Sequence, residues 1–166
     1  MKNIYFDLCA IPIYLIVIWA CYSRKMVRGR ANRVFLMMNI LSLVCAALDI
    51  LMECVVNPLP LPHSAVIIGT GISFLYKVIR NGSLVVYLIY VFHITRTENR
   101  LRPKWAKALL WAPNFVVIGV LLQNFFTHNV FRVTELEGYT RGPLLNIVYL
   151  VALLYGLFGL GYCIYC

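Results

Sequence analysis

Ser23-Arg24-Lys25-Met26-Val27-Arg28-Gly29-Arg30-Ala31-Asn32-Arg33 is a short loop with five bases and no acid, set between the apolar runs 4–22 and 34–56. Bases clustered beside an apolar run of about 20 residues mark the cytoplasmic side of a membrane span. A second cluster, Arg96, Arg100, Arg102, Lys104 and Lys107, follows another apolar run and holds Glu98 as its single acid. Ten of the 15 Lys and Arg therefore lie in two loops. The other two loops lack this excess. Residues 57–64 carry no Lys or Arg, and residues 127–143 balance Arg132 and Arg141 against Glu135 and Glu137. These two loops are expected to face outward, which places the amino terminus outside as well.

Composition agrees with this reading. The chain is 62% hydrophobic and 13% charged, against about 25% charged residues in soluble domains. Its apolar residues come in blocks rather than at amphipathic spacing. Five blocks reach the length of a span: 4–22, 34–56, 72–94, 108–126 and 144–166. The expected fold is an all-α polytopic membrane helix bundle, a single domain over residues 1–166. The net charge of +9 lies beside the spans, where it serves topology and anionic lipid. A nucleic-acid footprint would instead be a basic face on a folded domain, so no nucleic-acid partner is expected.

The first span reads as an uncleaved anchor rather than a signal peptide, since its apolar run is long and its strong basic cluster follows it. A lipoprotein site at Cys21 is disfavoured by the bulky Trp19 two residues before it. Cys9, Cys21, Cys45, Cys54, Cys163 and Cys166 all fall within or beside spans, where a thiol acts as a small apolar side chain. Cys9 and Cys54 both lie near the outer face and are open to pairing there. The CxxC of Cys163 and Cys166 lacks the βαβ setting of a redox motif.

Pro58, Pro60 and Pro62 at alternate positions make the loop between spans two and three stiff and extended. The apolar stretch 64–93 exceeds one span, and Gly69 and Gly71 weaken its start. A tilted helix and a short re-entrant lead-in both fit. Asn81-Gly82 marks a kink or a close-packing point. Trp105 and Trp111 suit the interfacial aromatic belt, and the partial alternation of residues 130–142 suits a small outer β-hairpin. The last run ends at Cys166 without a polar or basic cap, as expected of a chain cut at a helix end or continued beyond it.

Four charges inside spans stand out. Asp49 and Glu53 lie four apart in the second span, and Lys77 and Arg80 three apart in the third, each pair on one helical face. Each charge at mid-membrane costs about 2.5–3.5 kcal/mol, so pairing Glu53 with Lys77 and Asp49 with Arg80 across the two helices is the natural register. Such a cluster is either a packing clamp or a polar ligand pocket for an unidentified small ligand or proton. Arg132, Tyr139 and Arg141 are candidate outer-loop contacts. His63, His93 and His128 are too separated to form a metal cluster, and no Ser/His/Asp arrangement, phosphate loop or HExxH is present. No catalytic residue, cofactor or metal is expected within these residues. Gln123, Asn124 and Asn146 are helix-packing candidates, and Gly156, Gly159 and Gly161 allow close approach of another helix without a GxxxG spacing.

The order of these features resembles a known family. Phe6-Asp7, the basic turn Arg24-Lys25-Met26 with Gly29-Arg30, Asn32-Arg33-Val34-Phe35, Leu48-Asp49, and Tyr139-Thr140-Arg141-Gly142-Pro143 are similar to motifs in one group of proteins. These are the membrane-embedded amino-terminal sensory segments of bacterial diguanylate cyclases that carry a cytoplasmic GGDEF domain. The resemblance implies a multi-pass protein of the bacterial cytoplasmic membrane, often a homodimer. It further implies a signal passed to a domain that makes cyclic di-GMP from two GTP. This sequence contains no GGDEF, so these residues do not themselves make that product. The rival expectation is a small transporter or channel subunit for protons or a polar solute; against it, no inverted repeat is seen.

Overall fold

The computed structural model describes residues 4–23, 29–56, 60–95 and 104–165. The basic side chains of Arg24, Lys25, Arg28, Arg96, Arg100, Arg102, Lys104 and Lys107 lie outside the described residues, as does Cys166. Five helices form: α1 (Ile4–Ser23), α2 (Arg30–Val56), α3 (His63–Ile94), α4 (Lys104–Thr127) and α5 (Leu145–Tyr165), with β1 (Phe131–Thr134) and β2 (Gly138–Arg141) between the last two. All five helices are long and apolar enough to cross a membrane.

Their exterior suits lipid. Phe6, Trp19, Phe115, Phe126, Leu153 and Phe158 are among many large apolar side chains left exposed on α1, α4 and α5. A soluble monomer rarely exposes apolar patches beyond a few hundred Å², whereas in a bilayer this surface meets acyl chains.

The central helix is α3, which packs against α2, α4, α5 and β1, while α1 lies on α2. It runs unbroken for 32 residues, about 48 Å at about 1.5 Å per residue, and so exceeds the ~30 Å hydrocarbon layer. The sequence placed this span at 72–94; the helix begins nine residues earlier, at His63, with no re-entrant segment. Gly69 lies within the helix, and its missing side chain leaves room for α2. A Cβ there would come within 3.1 Å of Val56 Cγ2 on α2. Of the glycines in α5, Gly159 alone is used for packing: a Cβ there would meet the Tyr87 ring at 2.5 Å, while Gly156 and Gly161 face open space.

Residues 131–141 form the hairpin that alternation suggested. Phe131 pairs with Arg141, Arg132 with Thr140, Val133 with Tyr139 and Thr134 with Gly138. Gly138 takes φ 64°, matching three-residue hairpin loops that close on a left-handed glycine. This hairpin is part of the core rather than a surface appendage. Val130, Phe131 and Val133 are buried with Leu61, Val85, Leu121, Leu145 and Val148. Leu61 N–H also donates to the Glu135 carbonyl at 2.9 Å, which ties the α2–α3 connection to the hairpin. The α2–α3 connection and the hairpin therefore sit together at one end of the bundle.

Candidate functional site

Asn124, at the end of α4, organises the hairpin. Its Oδ1 accepts from Val130 N–H at 2.7 Å and Phe131 N–H at 3.1 Å, and its Nδ2 donates to the Phe131 carbonyl at 3.0 Å. The side chain is 3% exposed, so these bonds satisfy polar groups that water does not reach. Strand alternation then sorts the faces. Phe131 and Val133 point into the bundle, and Arg132 points out. Tyr139 and Arg141, cross-strand partners of these two inward residues, meet the helices.

They meet Lys77 first. Lys77 is 7% exposed, and its ammonium donates to Tyr139 Oη at 3.1 Å. The same nitrogen stands 4.2 Å from the centre of the Phe131 ring and 5.1 Å from that of Tyr139. The two rings stack at 6.1 Å, a diagonal cross-strand pair. Cation–π attraction of this kind contributes about 2 kcal/mol once desolvated. Burial pushes the Tyr139 phenol up to about 12, with the Tyr149 phenol adding to the rise and Arg141 opposing it. The phenol therefore remains a neutral acceptor for the ammonium across the physiological range.

Beneath the hairpin lies a cavity of about 40 Å³. Asp49 from α2, Tyr76, Lys77, Arg80 and Asn81 from α3, Tyr139 and Arg141 from the hairpin and Tyr149 from α5 line it. Three of the four intramembrane charges singled out by sequence thus share one space. Glu53 is not on its wall, and Lys77 is seated against the aromatic side chains of the hairpin. Arg80 donates to Tyr76 Oη at 3.0 Å and lies between the Tyr76 and Tyr149 rings, at 5.8 and 5.9 Å.

Of the outer-loop candidates, Tyr139 and Arg141 reach the cavity, and Arg132 is exposed on the opposite face of the hairpin. Sequence reasoning missed Tyr76, Asn81 and Tyr149. A signal was present: Ser73, Lys77 and Asn81 recur every four residues in an apolar helix, and all three are buried on its inner face. Asn81 Nδ2 donates to the Lys77 carbonyl at 2.9 Å, and its Oδ1 has no hydrogen-bond partner among the described residues. Elsewhere Ser73 Oγ donates to Met52 Sδ at 3.0 Å, joining α3 to α2. Tyr155 Oη donates to the Leu110 carbonyl at 2.7 Å, joining α5 to α4 near Pro113. Cys9 and Cys54 are separate free thiols, and His63 faces Glu135 at 3.5 Å on the exposed hairpin end.

The fold and the site define a bundle of five membrane-length helices with a charged, aromatic cavity between α2, α3, α5 and the hairpin. No family model, curated protein or solved structure matches the chain.

Proposed function

We propose that this chain is a sensory or regulatory membrane module of the bacterial cytoplasmic membrane. In this reading it couples a signal at the outer face or within the bilayer to a cytoplasmic signalling domain such as a diguanylate cyclase. The observation that carries the reading is the seat of Lys77: the hairpin end of the protein is joined, through Tyr139 and Phe131, to the middle of α3. Because α3 is one continuous helix to Ile94, a change in hairpin packing moves a rigid element whose other end adjoins the basic loop 95–107. A signal acts this way only by favouring one packing state over the other.

The test uses nitroxide labels at the basic-loop end, one at Ile94 and one at Ser23, in protein reconstituted into vesicles. Tyr139→Phe, which removes the Lys77 acceptor and keeps the ring, is expected to shift the measured distance distribution. An unchanged distribution, with the fold intact by circular dichroism, would overturn the coupling.

A second reading, a small transporter or channel subunit, is favoured by one observation: Asp49, Lys77 and Arg80 line a common cavity, as ionisable residues on a transport path do. Proton flux into vesicles loaded with a pH-sensitive dye separates the two. Flux above that of empty vesicles, abolished by Lys77→Met, would favour transport over sensing.

A further inference from the structure

A second space, a groove of about 190 Å³, lies between α1, α2 and α3. Asp7 and Tyr14 from α1, Ser42 and Cys45 from α2, and Tyr76 and Arg80 from α3 form its polar wall. Tyr76 and Arg80 are also wall residues of the inner cavity. The hydrogen-bonded pair thus partitions two polar spaces.

Both spaces suit water. A buried water needs about 10–15 Å³ of such volume and two to four polar partners, so the groove has room for several and the inner cavity for about three. The inner cavity also holds a specific demand for a donor. Asn81 is 2% exposed, and its Oδ1 lacks a partner among the described residues; a buried amide oxygen is normally satisfied. The partition is made of side chains alone. Arg80 is a long, exposed side chain that donates a hydrogen bond to Tyr76 and lies against two tyrosine faces among the described residues.

We propose that groove and cavity are two halves of one hydrated path for water and small hydrophilic ions, with Tyr76–Arg80 as the gate between them. The path gives such species access to Asp49, Lys77 and Asn81 from the α1 side of the bundle. It rests on the two spaces and their shared wall, and holds whether the chain signals or transports.

X-ray hydroxyl-radical footprinting of the full chain in vesicles tests it, because the radicals form from water lying beside the labelled side chain. Three native sulfur groups serve as reporters. Cys45 lines the groove, Met52 lines the inner cavity, and Met37 is 53% exposed on the apolar exterior of α2 as the lipid-facing control. Cys45 and Met52 are expected to be oxidised well above Met37. Loss of one hydrogen bond shifts a local equilibrium about fivefold, so after mixing with ¹⁸O-labelled water Tyr76→Phe is expected to speed the appearance of ¹⁸O in the radical-oxidised Met52 by about that factor, as the water beside it exchanges, while leaving Cys45 unchanged. Arg80→Gln provides a second variant with the same expectation. Protection of Met52 equal to that of Met37 would overturn hydration of the cavity. An unchanged rate of ¹⁸O incorporation at Met52 in both folded variants would overturn the gate.

Discussion

The Lys77 ammonium stands 4.2 Å from the centre of the Phe131 ring while donating to Tyr139 Oη at 3.1 Å. One buried cation thus fastens both strands of the hairpin to α3. A double-mutant cycle of Lys77→Met and Tyr139→Phe isolates the hydrogen-bonded part of this joint. The expected coupling is about 1–2 kcal/mol, since one partner is charged. Unfolding in mixed micelles measures it, and a coupling near zero would show that the two groups act independently.

Asn124 holds the hairpin from the other side, through three bonds to the backbone of Val130 and Phe131. Asn124→Ala strands buried amides as well as removing bonds, and is expected to cost about 2–4 kcal/mol. Asn124→Asp keeps the two accepting contacts and is expected to cost less. Hydrogen exchange at the amides of Val130 and Phe131 reads the effect locally; protection unchanged in Asn124→Ala would show that the helix ends, not this side chain, fix the hairpin.

Gly142 and Gly161 differ sharply in what a methyl group would meet. At Gly142 it would overlap the Asn129 carbonyl oxygen, backbone that cannot rotate away, whereas Gly161 has open space around it. Gly142→Ala is expected to destabilise by about 1–3 kcal/mol through overpacking. Gly161→Ala is expected to be neutral or stabilising by up to about 1 kcal/mol, because alanine favours the helix. Thermal unfolding of the two variants side by side checks the contrast.

Burial holds the Tyr139 phenol protonated up to about 12, above its usual value of 10. The folded state therefore binds this proton more tightly than the unfolded state. By linkage the resulting stability is fully present below pH 10 and is lost as pH rises from 10 through about 12. Tyr139→Phe is expected to flatten that alkaline decline without altering the profile below it. An identical alkaline slope in wild type and variant would mean that the phenol titrates in water.

Much of this architecture was legible in the sequence, for a physical reason. Span length and apolar content are properties of contiguous residues, so the five helices and the two-residue alternation of the hairpin can be read along the chain. The start of α3 was read nine residues late because Gly69 weakens a helix locally; its value lies in the contact with Val56, which only packing reveals. The charged residues were found from their cost in an apolar span. Their partners were not, because Lys77 and Tyr139 are 62 residues apart and no local pattern links them. Asn81, which with Gly82 reads as a kink or a close-packing point, belongs to the buried stripe of Ser73 and Lys77. The four-residue spacing of these three polar residues marks that stripe within the apolar helix.

The packing also sharpens a test of membrane orientation. Leu61 N–H bonds to the Glu135 carbonyl, so loops 57–64 and 127–143 must lie on the same side of any bilayer the helices cross. The basic excess in the other two loops leads to the expectation of a cytoplasmic side for those and an outer side for the hairpin. Leu136, at the hairpin tip, is 82% exposed and tolerates a probe. In intact cells, Leu136→Cys is expected to react with a membrane-impermeant maleimide, once the native cysteines are replaced by serine or alanine. A cysteine at Arg30, at the opposite end of α2, is expected to react only after the membrane is opened. The reverse pattern would invert the topology and move the hairpin and Arg141 to the cytoplasmic face. The cavity would survive that inversion, but a signal acting on it through the hairpin would then have to come from inside the cell.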